Sequence, residues 1–191
     1  MRSALLLYER GWYSWGMKIY LIRHGETTGD VEDRYGGSYD DHLTELGKTQ
    51  IEKTAEKLIN SAIEIVFTSV LIRAKESGEI IAAKVNCPIE TREGLQERHY
   101  GILTGLTKRE ALEKYPEVVE AHKDPQSTDP EGESRKVFQN RVLTAFEKLT
   151  NEQYRTIAIV AHGGPIKEIL HHLNMHVPEK IGDGGVIVVE L

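Results

Sequence analysis

Between Lys18 and Ile22 the chain reads Lys-Ile-Tyr-Leu-Ile, a short apolar run with β-branched and aromatic members that closes toward a glycine. Such a run predicts a buried strand ending in a loop. From Leu43 to Asn60 the period changes: Thr44 and Glu45 open the segment, and apolar Ile51, Ala55, Leu58 and Ile59 follow at helical spacing. Ile63 to Ser69 predicts a second strand, and Leu71 to Val85 a second helix with Ala74, Ile80, Ile81 and Ala82 as its inner face. Thr107 to Lys123 and Arg135 to Thr150 predict two further helices. The polar stretch between them, Asp124 to Ser134, suits a flexible lid or flap. Thr156 to Ala161 is the strongest buried strand. It runs into His162-Gly163-Gly164-Pro165 and a helix over Ile166 to Leu173, with Pro165 fitted to a first turn. Val186 to Leu191 closes the chain as a last strand. Strands alternating with helices predict an α/β fold of three layers, a mainly parallel central sheet with helices on both faces.

A length of 191 residues fits one core better than two. Residues 1–16 precede the first strand and read as an N-terminal extension, with Met17 as an alternative translation start, so a single domain is expected over 17–191. The extension's apolar run, Ala4 to Leu7, is too short for a signal peptide and is followed by Glu9, Arg10 and two Trp. No apolar stretch approaches the roughly 20 residues that cross a bilayer. The net charge of −6 speaks against nonspecific binding to nucleic acid or an anionic membrane. An anionic ligand must therefore be held by local charge. The single cysteine, Cys87, has no internal disulfide partner; it reads as a half-buried small apolar residue, and a cytoplasmic location fits.

Two of the best strands end in histidine followed by glycine: Arg23-His24-Gly25 and Ala161-His162-Gly163. Ligands of a doubly wound sheet bind beyond the carboxyl ends of its strands, so both histidines should face one crevice. The second loop leads into a helix N-terminus, which favours phosphate. A third strand ends close to Arg73, so Arg23 and Arg73 offer planar donor forks for a tetrahedral oxyanion. Glu97, in Gly94-Leu-Gln-Glu-Arg-His-Tyr-Gly101, supplies a carboxyl group able to act as proton donor. Nucleophile, acid and oxyanion clamp are then all present.

Arg23-His24-Gly25-Glu26-Thr27, Ser69-x-x-x-Arg73-Ala74, the Glu97 segment and His162-Gly163-Gly164 stand in the order found in the histidine phosphatase superfamily, which includes cofactor-dependent phosphoglycerate mutase. The resemblance covers Met17 to the C-terminus. It implies that His24 attacks phosphorus, that Arg23, Arg73 and His162 hold the transferring oxygens, and that Glu97 protonates the leaving oxygen. It further suggests Asp30, Gly36, Gly37, Arg98, Tyr100, Lys108, Gly163 and Gly164 as substrate-binding residues, a small phosphorylated metabolite as partner, and no metal. A homodimer is compatible with it.

Glu97 to Lys108 resembles the mutases closely, including Arg98, Tyr100 and Lys108. Against a mutase, Gly29-Asp30 replaces the Trp-Asn of that branch, Gly164 stands where a mutase usually has Asn, and the arginine pair inserted after the Lys108 helix is missing. Fewer donors make a bisphosphate harder to retain, and Pro130 to Ser134 resembles the flap of the phosphatase branches. Hydrolysis, with no cofactor, is the favoured expectation. The alternative is a glycolytic isomerase using 2,3-bisphosphoglycerate. A metallohydrolase built on His24, His99, His162 and Glu97 lacks the usual local spacing, and a noncatalytic phosphate-binding module would need one of the central residues lost. His42, His122, His171, His172 and His176 are expected at the surface or an interface.

Overall fold

The computed structural model describes residues 16–191, so residues 1–15 of the expected extension lie outside it. Five strands form one sheet: β1 (Lys18–Arg23), β2 (Ile65–Thr68), β3 (Ile89–Thr91), β4 (Thr156–Ala161) and β5 (Val186–Glu190). Their order is β3-β2-β4-β1-β5, with all neighbours parallel except the β1/β5 pair. The mainly parallel sheet expected from the alternation is therefore present.

Strand alternation divides the core in two. Ile19, Leu21, Ile157 and Ile159 point to one face, where Phe138, Phe146, Ile166 and Leu170 cover them. Those residues come from α6 (Arg135–Thr150) and α7 (Gly163–His172). Tyr20, Ile22, Ala158 and Val160 point to the other face, against Ile51, Ala55, Ala74 and Ile81 of α2 (Glu45–Leu58) and α3 (Ile72–Val85). Central strands buried on both faces explain why β1 and β4 read as unbroken apolar runs. Thr44 caps α2 as its sequence position suggested, its hydroxyl accepting from the Gly47 N–H.

The helix expected over Thr107 to Lys123 is two helices, α4 (Lys108–Lys114) and α5 (Pro116–His122). Tyr115 lies between them at φ −139° and ψ 54° because the ring of Pro116 disfavours helical backbone in the residue before it. Three short elements carried too little pattern to be foreseen: α1 (Thr28–Val31), the exposed edge strand β3, and a 3-10 turn over Gly101–Leu103. The helix after β4 starts at Gly163, three residues before the expected start, which places Pro165 in its first turn. No helix among the described residues is long and apolar enough to cross a membrane.

Candidate active site

β1 and β4 lie side by side, with Arg23 opposite Ala161. Their next residues, His24 and His162, leave the sheet together, and the ring centroids stand 5.0 Å apart. Both rings are buried. The His24 Nδ1 lies 2.7 Å from the Gly25 carbonyl, which can only accept, so Nδ1 carries the proton. The Arg73 Nε–H donates to Nε2 at 3.2 Å. His24 thus keeps Nε2 unprotonated, the form a nucleophile needs, and its lone pair is free to attack once a phosphoryl oxygen takes over the Arg73 N–H.

Burial, then the Arg73 guanidinium, drives the His24 pKa down from 6.5 to about 3. The His162 pKa is lowered as well, again by burial first and Arg73 second. Between pH 3 and 6.5 the unfolded chain therefore holds one proton more than the folded chain at position 24. Stability is full above that window and falls as the pH is lowered through it, by about 1.4 kcal/mol per pH unit for each such proton. Urea unfolding at pH 7, 6 and 5 should show this slope, and His24→Gln should flatten it by one proton's worth. An identical slope in both proteins would mean that His24 is charged in the folded state.

Arg73 is buried and held from several sides. One Nη pairs with Asp41 at 2.9 Å and donates to the Tyr39 carbonyl; the other donates to the Gly37 carbonyl at 2.8 Å. Asp41 is itself buried and also accepts from the Gly29 N–H. Breaking such a pair strands a charge, so Asp41 fixes where Arg73 points. Gly37 can turn its carbonyl this way because it takes φ +50°, and a Cβ there would meet the Arg98 carbonyl at 2.7 Å.

The Arg23 guanidinium is anchored to the Ile181 carbonyl at 2.6 Å and to Asp183 at 3.0 Å. Its Nε is buried without a partner, as is Nδ1 of His162. The His162 Nε2 lies 2.9 Å from the Ser69 hydroxyl, which satisfies both groups when the hydroxyl donates and Nδ1 holds the proton. Two buried polar atoms beside His24 are then donors with no acceptor in the protein, a costly state unless an oxyanion completes it.

Glu97 faces this group. Its Oε2 accepts from the Gly164 N–H and its Oε1 from the Arg98 N–H, both at 2.9 Å. The expected phosphate-binding helix start therefore gives its Gly164 N–H to a carboxylate. The contact depends on glycine, because a Cβ at 164 would lie 2.0 Å from Oε1.

His24, Arg23, Arg73 and Glu97 line one cavity of about 690 Å³, together with the expected Asp30, Gly36, Gly37, Tyr100, Lys108, Gly163 and Gly164. His162 is buried beside His24, with its ring centroid 5.0 Å away, and is not among the lining residues. Asp30 also closes the cap of α1 with Thr27, Lys108 pairs with Asp33 at 3.1 Å, and burial pushes the Tyr100 phenol up, so it stays a neutral hydroxyl.

Arg98 departs from expectation. Its guanidinium turns away from the cavity and donates to the carbonyls of Glu133, Pro125 and Ser127. The stretch expected to be a free flap is therefore tied to the body, because its own carbonyls need donors and Arg98 supplies them. His99 is exposed and also outside the cavity, so the four residues of the metallohydrolase alternative do not converge.

Several lining residues escaped the sequence: Arg34, Tyr35, His122, Lys167 and Lys180. None stands at a strand end, and His122 and Lys167 lie within expected helices at positions whose spacing marks no site. His122 corrects the surface expectation: its ring is half-buried in the cavity wall, whereas His42, His171, His172 and His176 are exposed. Cys87 is half-buried as expected.

The family model described as histidine phosphatase superfamily (branch 1) matches residues 19–185. A 2,3-bisphosphoglycerate-dependent phosphoglycerate mutase of Gloeobacter violaceus is 33% identical over 171 residues, covering 85% of this chain and 78% of that protein. A metal-independent phosphoserine phosphatase of Arabidopsis thaliana is 36% identical over 160 residues, covering 80% and 66%. Among solved structures, Bacillus stearothermophilus YhfR superposes with a TM-score of 0.83 at 28% identity, covering 92% of this chain and 91% of that one.

Proposed function

Since the chain belongs to the histidine phosphatase superfamily, branch 1, we propose that it hydrolyses small phosphomonoesters of the cytoplasm through a phosphohistidine at His24. The observation that carries this reading is the neutral His24 ring, with its Nε2 lone pair beside three guanidinium and imidazole donors. In the first step Nε2 attacks phosphorus and the bond from phosphorus to the ester oxygen breaks. Glu97, in its acid form, gives that oxygen a proton, and the alcohol leaves. In the second step water attacks the phosphohistidine, Glu97 takes its proton back, and orthophosphate departs. Arg23, Arg73 and His162 face the charge that spreads over the equatorial oxygens in both steps, an electrostatic role that needs no metal.

Two features favour hydrolysis over mutase chemistry. With Arg98 bound to flap carbonyls, the cavity has one cation fewer to retain a bisphosphate, so release and attack by water compete better. The seat of Glu97 against Gly164 also keeps a proton acceptor at hand for water. The second reading is a mutase primed by 2,3-bisphosphoglycerate. It draws on relatives of that name and on Tyr100 and Lys108 in the cavity wall. Incubation with 3-phosphoglycerate, with and without 2,3-bisphosphoglycerate, separates the two. The expected product is inorganic phosphate independent of the bisphosphate; 2-phosphoglycerate appearing only with it would make the protein a mutase.

A further inference from the structure

The cavity carries a second histidine that the phosphoryl chemistry does not use. His122, the last residue of α5, places Nδ1 at 2.8 Å from Oδ2 of Asp129. Asp129 comes from the flap that Arg98 ties down, and its side chain is only 3% exposed. The other carboxylate oxygen of Asp129 is buried with no partner, so this carboxylate serves His122. The His122 ring is fixed further by two tyrosines that meet it edge-on, Tyr35 at 5.2 Å and 90° and Tyr100 at 4.7 Å and 81°.

A carboxylate can only accept, so Nδ1 carries a proton, and in the neutral ring Nε2 then holds a lone pair. Nε2 makes no hydrogen bond to the protein and is not among the buried unpartnered atoms, on a ring that lines the same cavity as His24. A ring clamped at one nitrogen and by two neighbours, with the other nitrogen open to a reaction cavity, is preorganised to receive a donor.

We infer that His122 is a specificity-determining residue whose Nε2 accepts a hydrogen bond from a free hydroxyl on the alcohol half of the phosphomonoester, with Asp129 as its positioning residue. The substrate class is then phosphorylated polyols or sugars that keep a hydroxyl beyond the ester oxygen. This rests on phosphoryl transfer to His24 and is indifferent to the group that finally receives the phosphate.

The test compares glycerol 3-phosphate, which has two free hydroxyls, with propyl phosphate, which has the same carbon chain and none. The parent should show the higher kcat/KM with glycerol 3-phosphate. His122→Phe keeps a ring between the tyrosines and removes Nε2, and should cut that preference by roughly 3- to 10-fold, the worth of one neutral hydrogen bond. Asp129→Asn loosens the ring with little change of shape and should lose a smaller part of the preference, in KM more than in kcat. Labelling of His24 by either ester identifies a folded variant, and Asp129→Asn decides the matter should His122→Phe fail to fold. A preference within about twofold of the parent in folded His122→Phe, or one unchanged in Asp129→Asn where His122→Phe does not fold, would overturn the inference. If no inorganic phosphate is released, the same comparison is read on the rate of His24 labelling. Failure of hydrolysis and failure of the dyad are thereby seen separately.

Discussion

His24→Ala is expected to leave a folded protein with turnover reduced by roughly 10⁴-fold or more, the scale seen when a covalent nucleophile is removed from a site whose other groups act only through it. The surrounding donors remain: Arg73 stays paired with Asp41 and bound to the Gly37 carbonyl, and Arg23 stays anchored to Ile181 and Asp183. Substrate should therefore still bind, so the loss appears in kcat. Brief incubation of the parent with a labelled phosphomonoester should leave an acid-labile, base-stable label, as a phosphorus–nitrogen bond on imidazole requires, and the variant should leave none. A label that survives the substitution would move the nucleophile elsewhere. His162 is the nearest imidazole, but its Nε2 accepts from the Ser69 hydroxyl and its Nδ1 holds the proton, so it offers no free lone pair.

The second large effect belongs to Glu97. An alkoxide is a poor leaving group and needs a proton as it departs, whereas an aryl oxide leaves largely without help. Glu97→Gln keeps the size of the side chain, and its amide oxygen can still accept from the Gly164 or Arg98 N–H, but it cannot give a proton. Hydrolysis of an alkyl phosphate should then drop by roughly 10² to 10⁴, with an aryl phosphate much less affected. Equal losses on both esters would make Glu97 a binding group and move the proton donor to another lining residue, with Asp30 next in line.

The layers of the fold were legible in the sequence because the central strands are buried on both faces and the long helices on one, so each wrote its period into the chain. Lys18 to Arg23, Thr156 to Ala161 and Arg135 to Thr150 were readable almost to the residue. The break at Tyr115 was readable in principle from Pro116, but the polar pattern on either side continued through it. The strand-end rule brought His24 and His162 together correctly, since parallel neighbours in register end at the same height. What escaped were residues placed by other side chains. Asp41 matters through Arg73, and His122 through Asp129 and two tyrosines, and such partnerships leave no spacing to read. Arg98 shows the reverse failure: its neighbours Glu97 and Tyr100 face the cavity, but the carbonyls of the flap claim its guanidinium.

The close approach of Gly164 to Glu97 has a consequence for how a site of this kind can drift. The proton donor and the first turn of α7 occupy one volume, since a Cβ at 164 would stand 2.0 Å from the carboxylate and 3.0 Å from the Phe138 ring. A step away from glycine there obliges the flexible end of Glu97 to shift from its present seat. Positions 97, 138 and 164 are therefore coupled through one volume, and a side chain at 164 is accommodated as the Glu97 carboxylate and the Phe138 ring adjust. Along such a path the carboxylate would give up its Gly164 N–H and take a new seat, so the direction from which the leaving group receives its proton would shift with the new side chain.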